Sequence, residues 1–269
     1  MASSLLTPMD LSLYNEKGYI VLNDIIPDNC FDDFFEEFSN LLVCVCKKAM
    51  LDVRNYSGIA YEEHVDSLLI KLYSNNKDSA GFFYDLINKH QIFFELFRNQ
   101  NLIHAVNSIL KLEDGSFSLS RTDEQFFIHI PIDTAENIGW HQDSSYFYDN
   151  CSFKHSLIVW MPLKKCYPEN GSLIAIPKSH LAGRLNHREN EHDSRKKQPL
   201  EKRGRFFIEV EDYSANQEAL MVERGSVVLM HIDSIHRSGI NLSDSVRYTA
   251  IARFSNVLAP GYLGKKSIW

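Results

Sequence analysis

The residues with the most evident chemistry lie in Gly139-Trp-His-Gln-Asp143. On an extended strand alternate side chains share a face, so His141 and Asp143 are placed to grip one metal ion together. A third ligand must come from elsewhere in the chain. His236, in Ile235-His-Arg-Ser-Gly239, lies between two β-rich runs and supplies it. Two histidines and one carboxylate form a facial triad that leaves three positions open on an octahedral Fe(II), room for a co-substrate and for dioxygen. An HxD tripeptide is common by chance, and the case rests on what accompanies it. Arg247 follows His236 by eleven residues on a strand-like run. A guanidinium grips a carboxylate with two parallel donors and keeps its charge, which suits the distal carboxylate of a dicarboxylic co-substrate. His231 competes with His236 as third ligand but lacks the Ser-Gly and arginine spacing.

The elements that must position these residues divide into two grammars. In the first third, Phe31, Phe34, Phe35, Phe38, Leu41, Leu42 and Val45 follow Asp28-Asn29 at the spacing of one helical face, closing on Lys47-Lys48. Phe82, Phe83, Leu86 and Ile87 form a second such set, and Leu102, Ile103, Val106, Ile109 and Leu110 a third. Gly18–Leu22 is a strand candidate before the first of these. From about residue 116 short β-rich runs take over: Gln125–Ile130, Ser156–Met161, Ser172–Ile176, Arg205–Val210, Ser226–Met230 and Val246–Phe254. Turn signals separate them and no helices alternate with them, which favours a sandwich or jelly roll over a parallel sheet.

Composition narrows the function classes. The 28 Lys+Arg against 35 Asp+Glu give a net charge of −7, unlike a dedicated nucleic-acid binder. The five cysteines include no CxxC pair, which speaks against a disulfide framework or a cysteine zinc site. The opening MASSLLTPMD lacks a secretory signature, and no apolar run approaches the roughly 20 residues of a spanning helix. A cytoplasmic protein without membrane or nucleic-acid partners is expected. Against the acidic background, Arg184 to Arg205 carries eight Lys/Arg and four acids. Such a run is ordinarily a solvated loop, and it also suits a lid whose local field draws in an anionic substrate.

The chain resembles the phytanoyl-CoA dioxygenase family of Fe(II)/2-oxoglutarate oxygenases. The likeness begins with Tyr14–Leu22 and continues through Trp140-His-Gln-Asp143 and Ile158-Val-Trp-Met-Pro-Leu163. It then takes in Asn170-Gly-Ser-Leu-Ile-Ala-Ile-Pro-Lys-Ser-His180 and His236-Arg-Ser-Gly-Ile-Asn-Leu-Ser243 before Arg247-Tyr248, all in the family's order. The resemblance implies a mostly β protein with flanking helices: a double-stranded β-helix (jelly roll, cupin-like) core with an N-terminal helical layer. One domain spans 1–269, with the helical layer over 1–115 and the jelly roll over 116–258, interrupted by the charged loop 182–205. It implies Fe(II) held by His141, Asp143 and His236, with 2-oxoglutarate as co-substrate and O2 as oxidant. Arg247 would pair with the 5-carboxylate, Ser238 would add a hydrogen bond, and Trp160 would line the pocket. His129 stands where many relatives have a lysine or another polar contact, and Thr249 shares the Arg247 face. Gln125, Tyr146, Phe147 and Arg184 are the candidate substrate contacts.

The implied activity is hydroxylation of a C–H bond of a small molecule with release of succinate and CO2, and the charged segment adds the expectation that this molecule is anionic. Asp143 favours this over halogenation, in which the family replaces that carboxylate to admit chloride. A desaturase or cyclase driven by the same ferryl stands beside it. So does a jelly-roll binding or sensor protein that has lost catalysis, although the intact trio and Arg247 speak against that. A cupin-like metalloenzyme using another metal and no keto acid requires Arg247 to be dispensable.

Overall fold

The structure, a computed structural model, describes residues 6–53, 61–112, 119–131, 139–146, 155–189, 206–208 and 216–259. Among the described residues the first part of the chain holds six α-helices, with one strand between the first two: α1 (Pro8–Lys17), α2 (Asp28–Lys48), α3 (Tyr61–Asn75), α4 (Lys77–Ile87), α5 (Gln91–Glu95) and α6 (Gln100–Leu110). Local chemistry fixes their ends. Thr7 and Asp10 form a reciprocal capping box at the start of α1, and Gly18 ends it with φ 84°. Asn76 and Asn99 cap α4 and α6 through their side-chain oxygens. Helix α2 buries Phe31, Phe34, Phe35, Phe38, Leu42 and Val45, the stripe expected from the sequence. Helices α1 and α3 were not among the sequence expectations. No helix among the described residues is long and apolar enough to cross a membrane.

The strands are β1 (Tyr19–Leu22), β2 (Leu119–His129), β3 (Ser156–Pro162), β4 (Leu173–Ala175), β5 (Arg188–Glu189), β6 (Phe206–Phe207), β7 (Glu218–Ala219), β8 (Val227–His231), β9 (His236–Ser238) and β10 (Arg247–Asn256). Five make an antiparallel sheet in the order β1-β8-β3-β10-β2, and three make a second in the order β7-β4-β9. Strands β5 and β6 pair separately, so the root of the charged loop is hydrogen-bonded to itself. Residues 190–205, most of that loop, lie outside the described residues. The β-rich run expected over Arg205–Val210 appears as β6 alone, its last two positions also lying outside them. Strand β2 begins at Leu119, well before the expected Gln125, because its polar first half carries no apolar alternation.

The larger sheet is covered on both faces, which makes this the double-stranded β-helix expected from the sequence. One face, with Phe126, Leu157, Val159, Tyr248, Ala250 and Phe254, packs on the helices. Phe38 of α2 meets Tyr248 edge-on with ring centroids 5.5 Å apart. The other face, with Tyr19, Ile158, Trp160, Val228 and Met230, packs on Leu173 and Ala175 of the smaller sheet. Every residue of β3 is therefore buried, a continuous run typical of strands sandwiched between layers.

One polar contact fastens the helical layer to the strand that matters most for the site. Asp66 of α3 is buried and accepts from the Val246 backbone N–H at 2.9 Å, the Tyr248 hydroxyl at 2.7 Å and the Lys164 ammonium at 2.8 Å. The first two flank Arg247, so a single carboxylate sets where β10 enters the sheet. Removing it takes the carboxylate from a half-buried cation and a buried hydroxyl. Asp66→Ala is expected to lower unfolding stability by about 3 kcal/mol, read as a shift of the denaturant midpoint. A loss within experimental error would show that the clamp carries no stability.

Candidate metal centre

A single backbone bridge sets the two histidines face to face. The His141 N–H donates to the His236 carbonyl and the His236 N–H to the His141 carbonyl, both at 3.0 Å. The ring centroids are then 4.2 Å apart. Each Nδ1 lies against a carbonyl two residues upstream, His141 against Gly139 at 2.8 Å and His236 against Ser234 at 3.0 Å. A carbonyl can only accept, so each Nδ1 carries a proton, which leaves Nε2 as the ring atom that can bind a metal.

The expected strand through His141 and Asp143 is not formed. His141 makes only the isolated bridge, and Asp143 opens a 3-10 turn over Asp143–Ser145. The intended consequence survives because Gln142 between them is extended, with φ −119° and ψ 137°. One extended residue suffices to bring both side chains to the same side. The Asp143 Oδ2 stands 3.2 Å from His236 Nε2. One ligand atom from each of His141, Asp143 and His236 can be chosen so that all three lie within 4.8 Å of one another, and all three residues are buried. This is the donor set and spacing that a facial triad requires.

Burial pushes the Asp143 carboxyl up, but the Arg253 guanidinium, followed by His236, outweighs it and holds the group well below the usual carboxylate range. Burial and the neighbouring His236 pull the His141 imidazole down to about 3. The carboxylate is thus ionised and this imidazole neutral at neutral pH, the protonation states a cation needs.

The second part of the site lies along β10. Tyr248, Ala250, Ala252 and Phe254 face the helices, so Arg247, Thr249, Ile251 and Arg253 face the space between the sheets. Arg247 is 2% exposed. Its Nη1 donates to the Gly171 carbonyl, while Nε and Nη2 have no hydrogen-bond partner among the described residues. Burial pulls its pKa down to about 10. The turn that receives Nη1 is built on close backbone approach. Gly171 has φ +81°, and a Cβ there would stand 2.7 Å from the Gly239 carbonyl.

The remaining expected residues fall as follows. His129 is buried directly opposite Arg247 in the β2–β10 register. Thr249, also buried, stands two residues along the inner face from Arg247. Trp160 lies opposite Ile251, in the apolar floor between the sheets. Ser238 shares the inner face of β9 with His236, opposite Leu173. Gln125, opposite Ile251, follows the inner-face alternation of Phe127 and His129 but is exposed. Tyr146 is half-buried, with the Arg253 guanidinium 5.1 Å from its ring centre and its edge toward His141. Phe147 lies outside the described residues. Arg184 is exposed on the root of the charged loop. His231, the rival ligand, instead accepts from the Asp233 N–H through Nδ1 and packs on His180.

Two residues of the site are not among the sequence expectations. Arg253 donates to Asp143 Oδ1 through Nε at 2.9 Å and through Nη2. Gln142, fully buried between two ligands, donates to the Asp233 carbonyl at 2.7 Å and the Gly183 carbonyl at 2.8 Å. It accepts from the Leu185 N–H at 2.7 Å. Its side chain therefore holds both neighbours of Arg184 against the metal ligands. Alternation on β10 was the available signal for Arg253, since it shares the parity of Arg247.

The depressed imidazole carries a stability consequence. Below about pH 6.5 the unfolded chain protonates His141 while the folded chain resists down to about 3. Acid in that window therefore favours unfolding, by at most about 1.4 kcal/mol per pH unit from this group. Denaturant midpoints of the metal-free protein between pH 7 and pH 4 are expected to fall more steeply for the wild type than for His141→Gln. Equal slopes would contradict the buried neutral imidazole.

Comparison with known proteins bears on this arrangement. The family model described as phytanoyl-CoA dioxygenase (PhyH) matches residues 14–249. The human protein titled "Phytanoyl-CoA dioxygenase, peroxisomal" is 25% identical over 266 residues, covering 94% of this chain and 70% of its own. The mouse protein of the same title is 23% identical with the same coverage. Among solved structures, the non-heme monooxygenase ThoJ in its apo form superposes with a TM-score of 0.62 at 19% identity, over 93% of this chain and 78% of that one. EctD from S. alaskensis with 2-oxoglutarate and 5-hydroxyectoine gives 0.60 at 16% identity, over 99% and 86%. The α-ketoglutarate-dependent epimerase SnoN gives 0.55 at 15%, over 93% and 82%.

Proposed function

This chain belongs to the phytanoyl-CoA dioxygenase family, and we propose that it is an Fe(II)/2-oxoglutarate-dependent dioxygenase hydroxylating a C–H bond of a small molecule, with release of succinate and CO2. The observation that carries the reading is a buried guanidinium with two donor nitrogens unspent among the described residues, on the same inter-sheet face as the residue that braces the metal cluster. A cation so enclosed is costly unless an anion joins it. The α-keto acid is that anion: one carboxylate for Arg247, the keto-acid end for the metal. Arg247 and Arg253 are six strand residues apart, about 20 Å between Cα atoms, and both side chains lie on the inner face.

His141 and His236 would offer their Nε2 atoms, and Asp143 its Oδ2 as the anionic ligand. Iron, when bound, supplies the oxygen activation that side chains cannot, with the keto acid as the source of electrons. The protein's own work is placement and exclusion of water. Arg247 fixes the distal carboxylate, with Thr249, His129 and Ser238 around it as polar neighbours on inner-face positions. Trp160 and the apolar floor keep solvent from the chelate. Gln125, Tyr146, Phe147 and Arg184 are proposed on the substrate side, and the positive charge between Arg184 and Arg205 favours an anionic substrate. Residues 1–269 are proposed to act as one domain, because the helices and the large sheet share one core. Retention of Asp143 supports hydroxylation over halogenation.

The test is anaerobic. Protein loaded with Fe(II) and 2-oxoglutarate is expected to develop a weak metal-to-ligand charge-transfer band near roughly 500 nm. Arg247→Ala is expected to weaken 2-oxoglutarate binding by about 30-fold or more while leaving metal content intact, the scale of truncating one partner of a buried charge pair. An occupied metal site with no band would remove the keto acid from the mechanism, and a band insensitive to Arg247→Ala would remove Arg247 from its site.

A further inference from the structure

The two oxygens of Asp143 are not equivalent. Oδ1 receives Nε and Nη2 of one guanidinium, that of Arg253, while Oδ2 faces His236 Nε2. A carboxylate oxygen has two lone-pair sites, and both on Oδ1 are then committed to protein donors. We propose that Arg253 is a positioning residue that restricts Asp143 to ligation through Oδ2 alone, and thereby keeps one coordination position available to dioxygen. The proposal rests on the metal-centre reading above.

Counting positions shows why this matters. Two histidines and a monodentate carboxylate leave three of six octahedral positions. A keto acid chelating through two atoms leaves one. A carboxylate binding through both oxygens would take that last position, and the oxidant would have to displace a ligand. A hydrogen-bonded Oδ1 prevents this without altering the ligand set.

Arg253 is itself held in place. It is buried on a strand whose register with β3 is unbroken from Thr249 to Ser255. The Tyr146 ring lies 5.1 Å from its Cζ, and that ring in turn meets His141. The planar fork has Nε and Nη2 on one edge, so both can converge on a single oxygen. A lysine, a point donor on a flexible stem, does not reproduce that. Two arginines of one strand face thus have opposite roles. Among the described residues Arg247 keeps Nε and Nη2 unspent, while Arg253 commits the same two atoms to Asp143.

The experiment uses Mn(II) as the metal and water-proton relaxation as the readout, because relaxivity reports exchangeable water on the ion and is independent of turnover. The wild-type Mn(II)·2-oxoglutarate complex is expected to retain one exchangeable water. In Arg253→Met, saturated with metal, relaxivity is expected to fall toward that of a complex with none, alongside an Mn(II) affinity 10- to 100-fold weaker, the scale of losing an outer-sphere partner. Arg253→Lys keeps the cation and gives a smaller fall, and it decides the matter if Arg253→Met does not fold. Unchanged relaxivity in a folded, saturated variant overturns the positioning role, since a residue serving stability alone would not alter bound water. A wild type that fails to bind Mn(II) overturns instead the metal-centre reading underneath.

Discussion

Charge in a place without water is the constraint on which this structure turns. Between the two sheets lie the Asp143 carboxylate and the guanidinium groups of Arg247 and Arg253, each almost wholly buried. Left alone, any of them would cost several kcal/mol. The protein answers Asp143 with Arg253 and His236 and leaves Arg247 only partly answered by the Gly171 carbonyl. That imbalance is tolerable only because the surrounding framework is fixed enough not to collapse onto it. Stability is thereby held back at that position.

The framework achieves this by burying the main sheet twice. Aromatic packing of α2 on Phe126 and Tyr248 covers one face, and the three-stranded sheet covers the other. Strand β10 lies second from the edge, hydrogen-bonded on both sides, so its inward side chains have little freedom to retreat. Asp66 sets its entry from the helical side. The Gly171–Gly239 contact lets the backbone of the opposite turn approach within reach of Arg247. Layer, clamp and turn converge on the same few residues from three directions.

Much of this was legible in the sequence, for identifiable reasons. Helix α2 and strands β3, β8 and β10 bury regular faces, and burial writes itself into apolar spacing. The clustered trio was legible because metal chemistry accepts few residue types, and Arg247 stood out as a guanidinium on the strand-like run that follows His236. Helix α3 has Val65, Leu68, Leu69 and Leu72 at helical spacing, a signal present but outweighed by its polar remainder. Helix α1 buries only Tyr14, and its caps rather than its periodicity define it. The local path through Asp143 was misread as strand because two-residue alternation needs only one extended residue, not a ladder. Arg253 and Gln142 were invisible because each works through a contact 110 and 91 residues away along the chain, respectively. Nothing local marks such pairings.

The Asp66 clamp has a further consequence in time. Its partners at Val246 and Tyr248 lie 180 and 182 residues downstream, and β1 likewise waits for β8. Closing such long loops is entropically slow, and little rewards it until the final strand exists. During synthesis the helices can form early, but their apolar faces and the Asp66 carboxylate stay uncovered until β10 arrives. The bridge between His141 and His236 must wait for its second half in the same way. A nascent chain therefore lacks the third candidate ligand until His236 has been added, and the brace on Asp143 until Arg253 has followed it.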